Sequence, residues 1–127
     1  MNQREIKFRA WHKADKQILP VIGLFYNPDT MQLMDVNVGD SEKVDWRDQS
    51  DVILMQYTGL KDKNGQEIYE GDVVKADGLL PSTIIFYESA FRTEKAAEPL
   101  AYDAERYGGL TVIGNIYEHP ELLQSND

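Results

Sequence analysis

The stretch from Tyr57 to Ala76, YTGLKDKNGQEIYEGDVVKA, constrains the fold of this chain more than any other. Asn64-Gly65 is a strong hairpin signal, because a two-residue type I′ turn needs positive φ at both central positions and these residues tolerate it. Gly59 and Gly71 are further points where the backbone can turn left-handed without a Cβ clash. Asp72-Val73-Val74 then opens a β-branched run suited to a strand. The centre of the chain is therefore expected to be strands joined by tight turns.

The flanking sequence has the same character. From Ile6 to Trp11 the residues alternate, with Ile6, Phe8 and Ala10 on one face and Lys7, Arg9 and Trp11 on the other, as in a half-buried strand. Residues 18–22 are expected to return as the second strand of a hairpin, at a sheet edge or bulged, because Pro20 has no N–H for a ladder. Asn27-Pro28-Asp29-Thr30 reads as a turn, and residues 31–38 as a strand. Residues 39–51 are the most polar part of the chain, with Trp46 as their single large apolar side chain, and read as a surface loop and lobe boundary. Residues 52–57 form a continuous apolar strand of the kind buried on both faces. Residues 83–87 are a further strand. Residues 89–107 are ambiguous between a strand extension at Phe91-Arg92-Thr93 and a short helix with Pro99 in its first turn. Residues 110–117 form a strand interrupted at Gly114-Asn115, as at a bulge, and Pro120 opens a final helical turn. Short strands punctuated by turns predict a mainly β protein with at most one or two short helices.

The chain has 127 residues and no cysteine, which excludes disulfides, cysteine-based zinc sites and thiol nucleophiles. No apolar run approaches the ~20 residues needed to span a bilayer, and the first residues carry no apolar signal segment. A cytoplasmic protein without membrane association is expected. The net charge of −9 is uneven: residues 1–16 sum to 5 − 2 = +3 and the remainder to 8 − 20 = −12. Such a surface repels nucleic-acid phosphates over most of its area, so direct nucleic-acid binding is disfavoured outside the basic N-terminal hairpin.

The Tyr57–Ala76 stretch resembles the signature of the YopX family, small and largely uncharacterised proteins of phages and prophages. The resemblance extends to Ile6-Lys7-Phe8-Arg9-Ala10-Trp11, to Met55-Gln56, to the run from Val112 to Glu118, and to Pro120-Glu121-Leu122-Leu123. It implies an N-terminal β lobe over residues 1–56 and a C-terminal lobe over residues 57–127 similar to SH3-type barrels, with a shared core possible. Within the signature, Gly59, Asn64, Gly65, Gly71 and Asp72 are read as structural turn residues.

No pattern points to catalysis or to a cofactor. The two histidines, His12 and His119, stand far apart and outside any metal-ligand spacing, and read as surface or capping residues. Asp62-Lys63-Asn64-Gly65 superficially suggests a calcium loop, but with Gly65 in the sixth position the first and twelfth positions fall on Leu60 and Gly71, which cannot ligate. Glu67, Glu70 and Asp72 form a carboxylate cluster whose ordinary role is to bond turn N–H groups or face water. Its sharper alternative is a metal-dependent enzyme or regulator. No phosphate cradle or nucleophile elbow is present.

The remaining signal is aromatic. Trp11 shares a strand face with Lys7 and Arg9, and Trp and Arg are enriched at binding hot spots. Lys7, Arg9, Trp11 and Trp46 are therefore candidate interface residues, with the competing reading that Trp11 covers the other lobe of its own chain. The expected function is non-enzymatic: a phage or prophage accessory protein acting by binding, as a homo-oligomer paired through N-terminal strand edges or with a host or phage protein. The alternative is an acidic decoy that inhibits a host nucleic-acid enzyme.

Overall fold

The computed structural model describes residues 5–40, 42–95, 99–101 and 109–123. The chain divides into two compact units, Ile6–Gln56 and a second built chiefly from Tyr57–Asp127. The protein is mainly β, with strands β1 Phe8–His12, β2 Gln17–Tyr26, β3 Leu33–Gly39, β4 Val44–Asp48, β5 Val52–Lys61, β6 Glu67–Tyr69, β7 Asp72–Lys75, β8 Ser82–Tyr87, β9 Ala90–Thr93 and β10 Thr111–Asn115. Gln49–Asp51 and Pro120–Leu123 are single 3-10 turns. The strands form two hydrogen-bonded sheets, in the orders β4-β3-β2-β1-β5-β6 and β10-β7-β8-β9. β5 is common to both units: Val52–Gln56 pairs with β1, and its second half pairs with β6.

In the first unit one sheet face is apolar. Ala10, Val36, Val38 and Val52 are buried on it, with Leu19, Val21, Leu24, Leu33 and Leu54 packed around them. The alternation of β1 and β3 follows from this face. Pro20 lies in an interior strand, opposite Arg9, so of the two expected settings, an edge or a bulge, the bulge is the one present. The expected break is present beside it, since the β2–β3 register slips between Val21 and Gly23. β3 starts later than expected because Met31 closes the Asn27 turn at φ 61, its N–H donating to the Asn27 carbonyl at 2.7 Å. Residues 44–48, read as part of a polar loop, instead form β4, paired along its whole length with β3.

In the second unit Ile68, Val74, Ala76, Ile84, Leu100 and Leu110 form the core, with Leu60, Phe91 and Val112 against it. Among the described residues no ladder closes the four-stranded sheet into a barrel. Asn64-Gly65 does turn the chain, but not as a two-residue type I′ turn. Asn64 lacks the positive φ that turn requires, and only Gly65 is left-handed, at φ 85. Asp62 N–H donates to the Gln66 carbonyl at 2.7 Å and Gly65 N–H to the Asp62 carbonyl at 3.0 Å, spanning a three-residue loop. The Asp62 carboxylate decides this, because it accepts the Asn64 and Gln66 N–H groups at 2.8 and 2.9 Å and stabilises the wider loop. A two-residue turn with both φ positive occurs instead at Glu88 and Ser89, φ 50 and 64, joining β8 to β9. That hairpin carries neither Gly nor Asn at its tip, which is why the sequence of residues 89–93 is ambiguous. Residues 100–101 are helical, while Ala104 and Tyr107 of the expected helix lie outside the described residues.

The expected bulge in β10 is present, with the register slipping between Val112 and Gly114. A Cβ on Gly114 would come within 2.6 Å of Leu122 Cδ1 and 2.8 Å of His119 Nδ1. The His119 ring cannot retreat freely, because its Nδ1 accepts the Asn115 N–H at 3.3 Å. Gly114→Ala is therefore expected to cost about 1–2 kcal/mol through overpacking, read as a lower urea midpoint with an unchanged slope.

Candidate interaction surface

Asp62, Asp72 and Gly71 of the signature each bond backbone groups of other segments. Asp62 is 7% exposed, and its second carboxylate oxygen accepts the Val112 N–H at 3.0 Å, so one side chain ties the hairpin to β10. Burial pushes its carboxyl up, but the N–H groups of Val112, Gln66 and Asn64, with the charge of Lys63, outweigh this and hold it below the usual carboxylate value. Asp72 is 1% exposed and accepts the Tyr69 N–H at 2.8 Å. Gly71, at φ 88, donates to the Ile84 carbonyl and accepts from Ile116 N–H, joining β8 and the end of β10 through one residue. Gly59, at φ 87, meets nothing within 4 Å at its Cβ position, so its left-handed backbone is what favours glycine there.

The carboxylate cluster is divided by these roles. Asp72 is turned to backbone, Glu67 lies 3.4 Å from the Tyr69 hydroxyl, and Glu70 acts on Tyr117, whose hydroxyl pKa is raised by burial and then by the Glu70 charge. Among the described residues no group of three His, Asp or Glu side chains is placed to hold a metal ion. Both histidines serve local turns. His12 is 8% exposed rather than a surface residue, with Nδ1 3.0 Å from the Asp15 carboxylate, and His119 accepts from Asn115 N–H.

The candidate interface residues separate. Lys7, Arg9 and Trp11 are half-buried, on or beside β1, a strand paired on both sides. Trp11 lies opposite Ile18 and Ile53, in the interior of the sheet. Trp46 lies on β4, beyond β2 and β3 in the strand order, some three strand spacings or about 14 Å away. β1 and β2 each have two neighbours, so the first hairpin offers no open edge, whereas β4, another of the N-terminal strands, ends the strand order. Among the described residues β4 has a strand neighbour on one side only, β3.

β4 presents a surface of its own. Trp46 is 55% exposed and meets Phe25, 53% exposed, edge-on at 6.4 Å between ring centroids and 84° between planes. Val44 beside them is also exposed. Register places Trp46 opposite Asn37, and Asn37 opposite Gly23, whose missing side chain leaves room for the Asn37 amide. Phe25, the main partner of Trp46, is not among the residues the sequence singles out. The alternation Val44-Asp45-Trp46-Arg47-Asp48 is the period-two signal that reveals the strand, outweighed in the sequence by the surrounding acidity.

A mainly β chain of two units, the second of them tied together by a buried Asp–Gly turn signature, is the class of protein these observations define. A family model described as YopX protein matches residues 7–124, and the chain belongs to that family. Among solved structures it is similar to protein EF1440 from Enterococcus faecalis, with 28% identity and a TM-score of 0.74 over 96% of this chain and 100% of that one. It is also similar in fold to protein yopX from Bacillus subtilis, with 18% identity and a TM-score of 0.64 over 93% of this chain and 98% of the other. A search of curated proteins found no match.

Proposed function

We propose that this is a phage or prophage accessory protein that acts in the host cytoplasm by binding, not by catalysis, and that it self-associates. The observation carrying this reading is the exposed Phe25–Trp46 pair beside an edge strand. Exposed aromatics of this size are characteristic of contact surfaces. An edge strand adds unpaired backbone groups that favour β-augmentation. In the same reading the second unit is an SH3-like barrel. Its support is that Leu60 of β5 and Ile68 of β6 share a core with Val74, Ile84 and Val112 from the other sheet.

Sedimentation of the wild-type protein from about 1 to 100 µM tests the self-association. A mass that rises with concentration is expected, and Trp46→Ala should weaken association by about tenfold or more, as loss of an aromatic anchor does. A monomeric mass throughout the range would refute the reading.

A further inference from the structure

We infer that β4 pairs antiparallel with β4 of a second copy of this chain, centred on Trp46, so that Asp45 of each copy faces Arg47 of the other. This rests on the self-association proposed above and names its geometry.

The first support is the direction of the backbone groups. Asp40 N–H donates to the Lys43 carbonyl at 3.0 Å at the closed end of the β3–β4 hairpin. Hydrogen-bonded and non-bonded pairs alternate along an antiparallel ladder. Stepping from Asp40–Lys43 through the observed register, Val38–Asp45 and Val36–Arg47 are the bonded pairs, while Gly39–Val44, Asn37–Trp46 and Asp35–Asp48 are not. The backbone N–H and C=O of Val44, Trp46 and Asp48 therefore point away from β3. Among the described residues no strand lies on that side. The Trp46 carbonyl shows the same direction independently, since it accepts from the Arg47 guanidinium of its own strand at 3.1 Å.

The second support is charge complementarity. In a pairing centred on Trp46, the two Trp46 residues exchange backbone hydrogen bonds, and Val44 of each copy does so with Asp48 of the other. Asp45 and Arg47 then fall at the non-bonded positions, where facing side chains approach most closely. The strand is self-complementary in sign about its centre: Asp45 meets Arg47 twice, and neither meets its own kind. Within one chain these two side chains already lie 3.7 Å apart. Pairing transfers the Arg47 guanidinium from its own strand's carbonyl and carboxylate to the carboxylate of the second copy, and releases the Trp46 carbonyl for the ladder. On the opposite face, Phe25 and Trp46 of both copies form one continuous aromatic row, from side chains that are each more than half exposed in the single chain.

The test is a charge exchange read by sedimentation and by mixing differently tagged copies, with circular dichroism confirming that each variant retains its strands. Asp45→Arg alone sets the introduced guanidinium against Arg47 of the other copy, and Arg47→Asp alone sets two carboxylates together. Each single variant is expected to associate about tenfold or more weakly than wild type, since like charges directly opposite oppose pairing. The double variant Asp45→Arg/Arg47→Asp should regain wild-type association. The two single variants, mixed, should form a heterodimer, because every facing pair is then opposite in sign. Wild-type self-association that both single variants leave unchanged would overturn the β4 pairing while leaving self-association standing. Failure of the mixed singles to associate would overturn it as well. A wild-type monomer up to about 100 µM would refute self-association and the pairing together.

Discussion

Replacing Asp62 by alanine is expected to lower the unfolding free energy by about 3 kcal/mol, taking hydrogen bonds to a charged acceptor at about 1.5–3 kcal/mol each and allowing water to reach the turn donors. The three donors differ in what becomes of them. Asn64 and Gln66 are exposed, and their N–H groups can turn to water. Val112 is half-buried within β10, where an unanswered N–H carries its full desolvation cost. A loss of this size corresponds to a fall of roughly 10 °C in melting temperature for a chain of this length. Asp62→Asn keeps the shape but replaces one acceptor oxygen with a donor, and should lose about half as much. The pH dependence has a definite sign. The folded pKa of Asp62 lies below its ordinary value, so its contribution is fully present above the unfolded value of about 3.9 and disappears as pH falls through the lower folded value. Urea denaturation of wild type and Asp62→Ala at pH 7 and in the acid range measures this directly. The gap between the two proteins should narrow below about pH 4, and a gap that stays constant into acid would show that the carboxylate charge is not what holds the hairpin to β10.

Gly39→Ala is the second large effect expected, at about 3 kcal/mol, from backbone strain at positive φ combined with a steric collision. Gly39 ends β3 at φ 128, and a Cβ there would run into the Lys43 carbonyl oxygen and lie 3.2 Å from Val44 Cα. These are backbone atoms, so no side-chain rotation relieves the contact. The displaced segment is the start of β4, and Trp46 moves with it. The variant should therefore lose both stability, by urea denaturation, and self-association, by sedimentation. Gly65→Ala supplies the contrast. Gly65 is also left-handed, at φ 85, but its Cβ position meets nothing within 4 Å. Only the conformational cost of about 1 kcal/mol applies there, and association should be unaffected. Equal losses at the two positions would mean that the Lys43 contact is of no consequence.

Much of the fold was legible because it depends on local chemistry. The turns at Asn27-Pro28 and Asn64-Gly65, the strand at Asp72-Val73-Val74 and the bulge near Gly114 each follow from φ preferences or side-chain alternation within a few residues. The misreadings share one cause, which is competition from a partner elsewhere. Asn64-Gly65 forms a wider loop because Asp62 captures two N–H groups in it. Glu88 and Ser89 take up left-handed turn positions without glycine because β8 and β9 are held in register on either side. Of the candidate interface, Trp46 is exposed at an edge, while Lys7, Arg9 and Trp11 are half-buried within or beside a doubly paired strand.

By itself the sequence determined that the chain is mainly β and where several of its turns fall, and it grouped Gly59, Asn64, Gly65, Gly71 and Asp72 in one turn signature. Propensity and turn chemistry act over a few residues, and a single sequence carries them openly. Only the tertiary structure decided the order β4-β3-β2-β1-β5, and with it which strand is left at the edge. It also decided that the Asp62 carboxylate reaches fifty residues along the chain to Val112. Strand order and such long-range bonds depend on which distant segments bury the most apolar surface together, and the alternation of a single strand is the same whether one neighbour or two stand beside it.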